Sequence, residues 1–458
     1  MEGFHSRTYE EWRQKVEKEL KGAAFDATLL SEKEGIKIEP LYTDRPAVEV
    51  EADGEDAAMG NAPSSWTACE TIVYDGRETP YAIVEAAYAK QIICLEIQGE
   101  SLAFLSGLAG TIPLPVSLII DAGNPPASEE ELQQWRQAVM DIKAWHPFLH
   151  TLSFHPFRTY LREGAAPRTN SDFNMLFECY RRLNPYLTDA HLFTIDATVV
   201  GEAGSGNALQ LAYALSHAQQ LIAEMTERGA ELFEIAHLFS FRFSISTDFF
   251  AGIAMLKAFR ILWRNLLTAL DPEWGYMEHP HIHVVTSNIY MTHADKHNNL
   301  LRTTTMAMSA VLGGFDTLTI RPYESPAGEH AQRMARNIHR LLQYESYMNH
   351  YQQSAEGAFY IEHLTHELAK KAWDRFVEME QTGDCLTAIT SGQLQELVTA
   401  ERNATLEAYQ QKKEILIGVN EYEQESPDLP PMSTPAGQGN FPVLMPFNIE
   451  QSLQKDTL

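Results

Sequence analysis

Cysteine and positive charge are what this sequence has least of. Four cysteines occur in 458 residues, Cys69, Cys94, Cys179 and Cys385, and no two form a C-x-x-C pair. Such spacing offers nothing to a disulfide scaffold, a zinc cluster or a redox motif, and predicts reduced core thiols in a cytoplasmic protein. Lys and Arg together number 35 against 62 Asp and Glu, a formal net charge of −27. That balance argues against sequence-independent binding to nucleic acid or to an anionic membrane, both of which rely on clustered positive charge. No long apolar run opens the chain: Met1 to Lys21 is charged and amphipathic, unlike a secretory signal or a membrane span. No internal repeat, heptad series or long low-complexity tract stands out.

What is present reads as a folded, enzyme-like body, with 44% hydrophobic and 10% aromatic residues. Trp12, Val16 and Leu20 recur at helical spacing and predict an opening helix over residues 9–20, stopped by Gly22. Such an arm needs an apolar surface, on its own body or on a partner. Residues 36–43 read as extended, and an acidic loop over 49–63 as exposed. From Trp66 onward, apolar runs at 68–74, 91–97, 116–120, 151–154, 192–200, 232–236, 282–286 and 317–321 alternate with helical stretches that include 129–144, 209–228 and 249–270. Parallel neighbours require crossover connections, so eight such runs predict an α/β fold, a (β/α)8 TIM-type barrel. Beyond it, helices are expected over 331–348, 363–381 and 397–413, then an irregular tail from 423. The expected organisation is an arm (1–40) that contacts a partner, a barrel (41–350), and a C-terminal helical and irregular extension (351–458).

Several segments carry a more specific pattern. Phe249-Phe250-Ala251-Gly252-Ile253-Ala254-Met255-Leu256-Lys257-Ala258-Phe259-Arg260-Ile261-Leu262-Trp263 is followed by Asn299-Leu300-Leu301-Arg302-Thr303-Thr304 and Ala310-Val311-Leu312-Gly313-Gly314. Phe359-Tyr360-Ile361-Glu362-His363-Leu364-Thr365 and Ile417-Gly418-Val419-Asn420-Glu421-Tyr422 come next. Ahead of them stands Thr194-Ile195-Asp196-Ala197-Thr198-Val199-Val200-Gly201-Glu202-Ala203-Gly204. In this order the segments resemble the methylmalonyl-CoA mutase family, whose motifs include F-F-x-E-I-A-K-L-R-A-x-R-x-L-W, N-x-x-R-T-T and Y-Y-I-E-x-L-T.

The resemblance implies a radical isomerase in which adenosylcobalamin supplies the hard chemistry and the barrel orients an acyl-CoA and excludes water. It also implies that diagnostic side chains are replaced. Aligned on Glu202-Ala203-Gly204, Thr198 stands at the family's Tyr and Val199 at its His. Aligned on Trp66-Thr67, Cys69 stands at an Arg and Thr71 at the Tyr that wedges against cobalamin. An alignment through Tyr180 puts Asp172 where an Arg would hold the substrate carboxylate. Valine neither donates a hydrogen bond nor exchanges a proton. Against the cobalamin ligand motif D-x-H-x-x-G, Asp189-Ala190-His191 has Thr194 in place of Gly. About 36 residues follow Tyr422, too few for a flavodoxin-like cobalamin domain of on the order of 100 residues. The chain thus resembles the small, noncatalytic subunits of heterodimeric members: no catalytic residue, bound cofactor or metal of its own is expected, and adenosylcobalamin is expected in a large partner subunit. The alternative is an active barrel that takes cobalamin from a separate protein.

Other constellations have blander readings. His279, His281 and His283 alternate as metal ligands on a strand can, but Pro280 interrupts them and no acidic partner follows, so retained barrel histidines are expected. Gly201-Glu202-Ala203-Gly204-Ser205-Gly206-Asn207 looks like a phosphate loop yet lacks G-x-G-x-x-G spacing and a P-loop Lys; a βα turn with a helix cap is expected. His146, His150 and His155 near Asp121 are read as structural, and Cys69 as a buried thiol rather than a nucleophile.

Overall fold

The computed structural model describes residues 8–44, 46, 66–164, 169–187, 190–273, 279–424 and 441–455. The acidic loop expected over 49–63 lies outside the described residues. Eight parallel strands form the barrel: β1 (Thr67–Tyr74), β2 (Cys94–Gly99), β3 (Ser117–Asp121), β4 (Leu149–Ser153), β5 (Phe193–Asp196), β6 (Phe239–Ile245), β7 (His281–Thr286) and β8 (Thr317–Thr319). They pair in chain order, β8 returns to β1 with Thr317 opposite Thr67, and a parallel bridge from Thr151 to His191 closes β4 onto the approach to β5. The (β/α)8 fold expected from the alternation is the fold observed.

β6 shows why these residues make such a strand. Its sequence Phe-Ser-Phe-Arg-Phe-Ser-Ile puts one set of side chains outward and the other into the bore. Phe241 and Phe243 meet Phe259 of the helix Phe249–Leu270 at ring distances of 4.6 and 4.7 Å. Ser240, Arg242 and Ser244 face inward, and all are buried. The expected strand at 232–236 is instead the short helix Leu232–Ile235, started by a capping box between Glu231 and Glu234. The strand itself begins downstream of that run, at Phe239.

β5 is also shorter than the expected 192–200 run. After Asp196 the chain turns into a helical segment, Thr198–Gly201, because the Asp196 carboxylate accepts hydrogen bonds from both the Thr198 N–H and its hydroxyl. Val199 therefore sits on a helical turn rather than on a strand.

The ends of the chain fold onto the barrel. The opening helix Tyr9–Glu19 buries no residue fully, but the hairpin that follows, Ser31–Lys33 with Ile36–Ile38, is tied to the body by Lys33 on Asp248 at 2.8 Å. Tyr42 packs, with its ring tilted, against Tyr360 and His363. Helices Phe359–Thr382 and Gln393–Gln410 follow the barrel. The tail, expected to be irregular, ends in the helix Ile449–Lys455 and straps the barrel: Leu444 N–H donates to the Leu161 carbonyl, Phe447 to Glu202 and Ile449 to Ile289.

Candidate functional site

Where the strands end, a cavity of about 1120 Å³ opens at the C-terminal mouth of the barrel. Its walls include Thr71, Arg158, Arg162, Asp196, Thr198, Glu202, Arg242 and Arg321, with Pro446 of the C-terminal strap. In barrels of this kind reacting groups come from strand ends and βα loops, so this is the place to look for chemistry.

Paired charges fill the bore below it. Glu96 on β2 reaches across to Arg242 on β6 through two contacts, Nη1 to Oε1 at 2.7 Å and Nη2 to Oε2 at 3.0 Å. Asp121 on β3 is gripped by both Arg158 nitrogens at 2.5 and 2.7 Å, and His155 Nε2 lies 3.5 Å from it. Asp196 lies between the two cations, with Arg158 Nη1 at 3.7 Å. Burial acts to raise the Asp196 pKa, but Arg242, Arg158, His155 and the Thr198 hydroxyl outweigh it and hold the carboxyl below the usual carboxylate range. Asp121 is lowered too, burial being outweighed by His155 and Arg158. Burial, with Arg158 beside it, pushes the His155 imidazolium down, so the ring is neutral near pH 7. The carboxylates are thus held ionised by fixed cations, which suits structural ion pairs and not a general base poised near neutrality.

Thr71 and Thr198 come together on this cavity, and each is engaged by a carboxylate: Thr71 Oγ1 donates to Glu96 at 2.7 Å, and Thr198 to Asp196. Val199, 2% exposed, packs into the main core and does not line the cavity. Asp172 lies apart as well. It is buried on the helix Thr169–Leu183, accepts a hydrogen bond from the Tyr160 hydroxyl, and is absent from the cavity wall. The alignment that put Asp172 at the carboxylate-holding position therefore places it away from the mouth cavity.

The mouth instead carries arginines that the sequence reading missed. Arg158 and Arg162 lie four residues apart on the helix Pro156–Glu163, a spacing that puts both on one face. Arg242 interrupts an otherwise apolar and Ser alternation. Arg321 donates to Glu202 Oε2 at 3.1 Å. Arg162 faces the cavity with no hydrogen-bond or ion-pair partner among the described residues.

The other candidates resolve as local structure. His281 Nδ1 lies 2.8 Å from Ser240 Oγ, its ring stacks on His191 at 4.3 Å, and His283 Nε2 lies 2.9 Å from Thr319 Oγ1. Burial pushes His281 and His191 each down to about 3. No group of three or more potential metal ligands occurs among the described residues. At the turn after β5, the N-terminus of the helix Asn207–Glu227 is already occupied by carboxylates of the chain itself: Glu34 accepts from Asn207 Nδ2 at 2.9 Å, and Glu401 from Gly206 N–H at 2.7 Å. Of the three histidines read beside Asp121, His155 alone reaches it; His146 bonds the Val139 carbonyl. Cys69 is a free, buried thiol, and burial pushes its pKa well above the ordinary value.

Among known proteins, the family profile described as methylmalonyl-CoA mutase matches residues 171–437. The chain is 28% identical to the methylmalonyl-CoA mutase small subunit of Streptomyces virginiae, over 92% of this chain and 71% of that protein. It is also 28% identical to the small subunit of Porphyromonas gingivalis, over 59% of this chain and 44% of that one. For the small subunit of Propionibacterium freudenreichii subsp. shermanii the identity is 27%, over 57% and 41%. The last two matches span less than half of the relatives' length. No described helix is long and apolar enough to cross a membrane.

Proposed function

The chain belongs to the methylmalonyl-CoA mutase family, and we propose that within it this protein is a noncatalytic small subunit, partnered one-to-one in the cytoplasm with a large subunit that interconverts methylmalonyl-CoA and succinyl-CoA. The observation that carries this reading is the filled bore. Glu96, Arg242, Asp196, Arg158 and Asp121 occupy the space above which an acyl thioester would react, and all are committed to one another. The side chains at the two diagnostic positions on the cavity wall, Thr71 and Thr198, are hydroxyls tied to those carboxylates. A radical-handling mouth needs a phenol and an imidazole together; the described wall includes one phenol, Tyr74, whose ring packs on Phe104 at 5.2 Å, and no imidazole.

Cobalamin does not fit the residues present. His191, the imidazole of Asp189-Ala190-His191, is stacked on His281 and bonded through Nδ1 to the His150 carbonyl at 3.1 Å, and the other D-x-H, Asp295-Lys296-His297, has Leu300 where the motif needs Gly. Both contacts lie at the opening of the strands, the end of the barrel away from the cavity. No step of the reaction is therefore assigned to this chain, and the cofactor is assigned to the partner.

What this chain supplies is a rigid body. Obligate association stabilises both partners by mass action, and the helix Tyr9–Glu19 keeps Trp12 and Val16 half-exposed for contact. Sedimentation of the chain mixed with its large subunit tests the pairing: a single one-to-one species supports it, and two independent boundaries at micromolar concentration refute it.

A further inference from the structure

Outside the bore, a second cavity of about 260 Å³ lies between the helix that follows β8, Glu329–Arg340, and the outer face of β1 and the approach to β2. Ala68, Ile92, Ile93, Ile320 and Ala335 give it an apolar lining, and Tyr344, 66% exposed, stands at its rim. An apolar cavity of about 150 Å³ is enough to hold benzene, and small-molecule sites usually begin at about 300 Å³. The space suits a single ring.

Its charged neighbours are committed elsewhere. Arg336 holds Glu70 at 3.1 Å and Glu329 at 2.8 Å, and Arg340 donates to the Lys90 carbonyl at 2.9 Å. Two neutral groups are left over, and Trp66 fixes the orientation of both. Its indole N–H donates to His339 Nδ1 at 3.2 Å, so the neutral imidazole carries its proton on Nε2. Burial, with Arg340 adding to it, pushes the His339 pKa down to about 3, and the ring stays neutral near pH 7. The Trp66 carbonyl accepts from Gln343 Nε2 at 3.2 Å, on the wider turn Leu341–Glu345 that continues the helix, which leaves Gln343 Oε1 uncommitted. His339 is 4% exposed and Gln343 7%, yet neither His339 Nε2–H nor Gln343 Oε1 has a hydrogen-bond partner among the described residues. Neither atom is sealed inside the core, so both face open space, and the space that both residues line is this cavity. A fixed donor and a fixed acceptor, about one helical turn apart in an apolar cleft, match a group that both accepts and donates, as a hydroxyl does.

We propose that this cavity binds a small uncharged phenol, its ring on the apolar lining and its hydroxyl accepting from His339 Nε2–H and donating to Gln343 Oε1. The cavity shares part of one wall with the mouth but none of the charges of the bore, so the site stands whether or not the chain is a small subunit.

Fluorine NMR titration of the full chain with 4-fluorophenol at pH 7 tests it, with fluorobenzene and 4-fluorobenzoate as controls that keep the ring and change only the head. Saturable one-to-one binding of 4-fluorophenol is expected. Fluorobenzene should bind roughly ten-fold or more weakly, because it leaves the donor and the acceptor unpaired, and 4-fluorobenzoate should not saturate, because no cation is free to meet its charge. Gln343→Met should weaken 4-fluorophenol roughly ten-fold and leave fluorobenzene unchanged, a split that a general loss of structure would not give. Ala68→Leu, which fills the lining, should weaken both. Circular dichroism melts verify that the variants fold, and the three ligands on the parent chain decide the matter without them. The proposal is overturned by an absence of saturable 4-fluorophenol binding at millimolar ligand, by fluorobenzene or 4-fluorobenzoate binding as tightly as 4-fluorophenol, or by a folded Gln343→Met variant that binds 4-fluorophenol like the parent.

Discussion

Arg242 concentrates the energetics of the bore in one side chain. It is 9% exposed and meets Glu96, itself 2% exposed, through two short contacts. Removing one member of a buried pair leaves the other charge without compensation, at a cost of about 3–5 kcal/mol. Arg242→Met should therefore lower the urea-unfolding free energy by roughly that amount, whereas Arg242→Met with Glu96→Leu should recover most of it. A single variant as stable as the parent would mean that the pair is not the keystone described here. Titration adds a signed expectation. His191 and His281 have folded pKa values of about 3, below their ordinary value near 6.5. The unfolded chain therefore binds more protons between those values, so their contribution to stability is complete above about pH 6.5 and is lost as pH falls toward 3. Asp121 and Asp196, also lowered, add their loss below about pH 4. Urea midpoints should fall in two stages on acidification, and His281→Asn should flatten the first. A midpoint constant from pH 7 to pH 4.5 would contradict the histidine assignment.

Among the elements, those whose two faces differ were legible and those built on long-range contacts were not. The helix over 249–270 was read with the boundaries observed, because its apolar residues span the full turn spacing. β7 and β8 stood out as short β-branched runs. β6 was missed because Arg242 breaks its apolar character, and that same arginine is what marks it as functional wall. β5 was overextended because the Asx-type turn that Asp196 makes with Thr198, two residues on, sits inside an apolar run. The tail looked irregular by composition, yet Glu450 is fully buried and accepts from the His293 N–H at 2.6 Å and the Ala294 N–H at 2.9 Å, partners more than 150 residues away. Glu450→Ala should leave those amides short of acceptors, cost about 1–3 kcal/mol and speed hydrogen exchange at His293 and Ala294. Unchanged exchange there would show that the strap is not held by this residue.

For the whole molecule, the barrel followed from eight apolar runs alternating with helices and the family from motifs in order along the chain, while the site was half legible. Thr71 and Thr198 were placed at the mouth by motif alignment, and the structure brings both onto one cavity. Asp172 was placed there by counting through a helix whose register against the family was not fixed by any nearby motif, and it lies elsewhere. The arginines were invisible because their partners come from other strands: no local pattern links Arg158 to Asp121, or Arg242 to Glu96. With these charges spent on one another, we propose that the chain is a subunit that pairs without reacting. The most direct measurement is succinyl-CoA formation from methylmalonyl-CoA by the isolated chain, supplied with adenosylcobalamin and a separate cobalamin-domain protein. No turnover above the uncatalysed background is predicted, with activity appearing only when the large subunit is added; turnover by this chain without the large subunit would contradict the account.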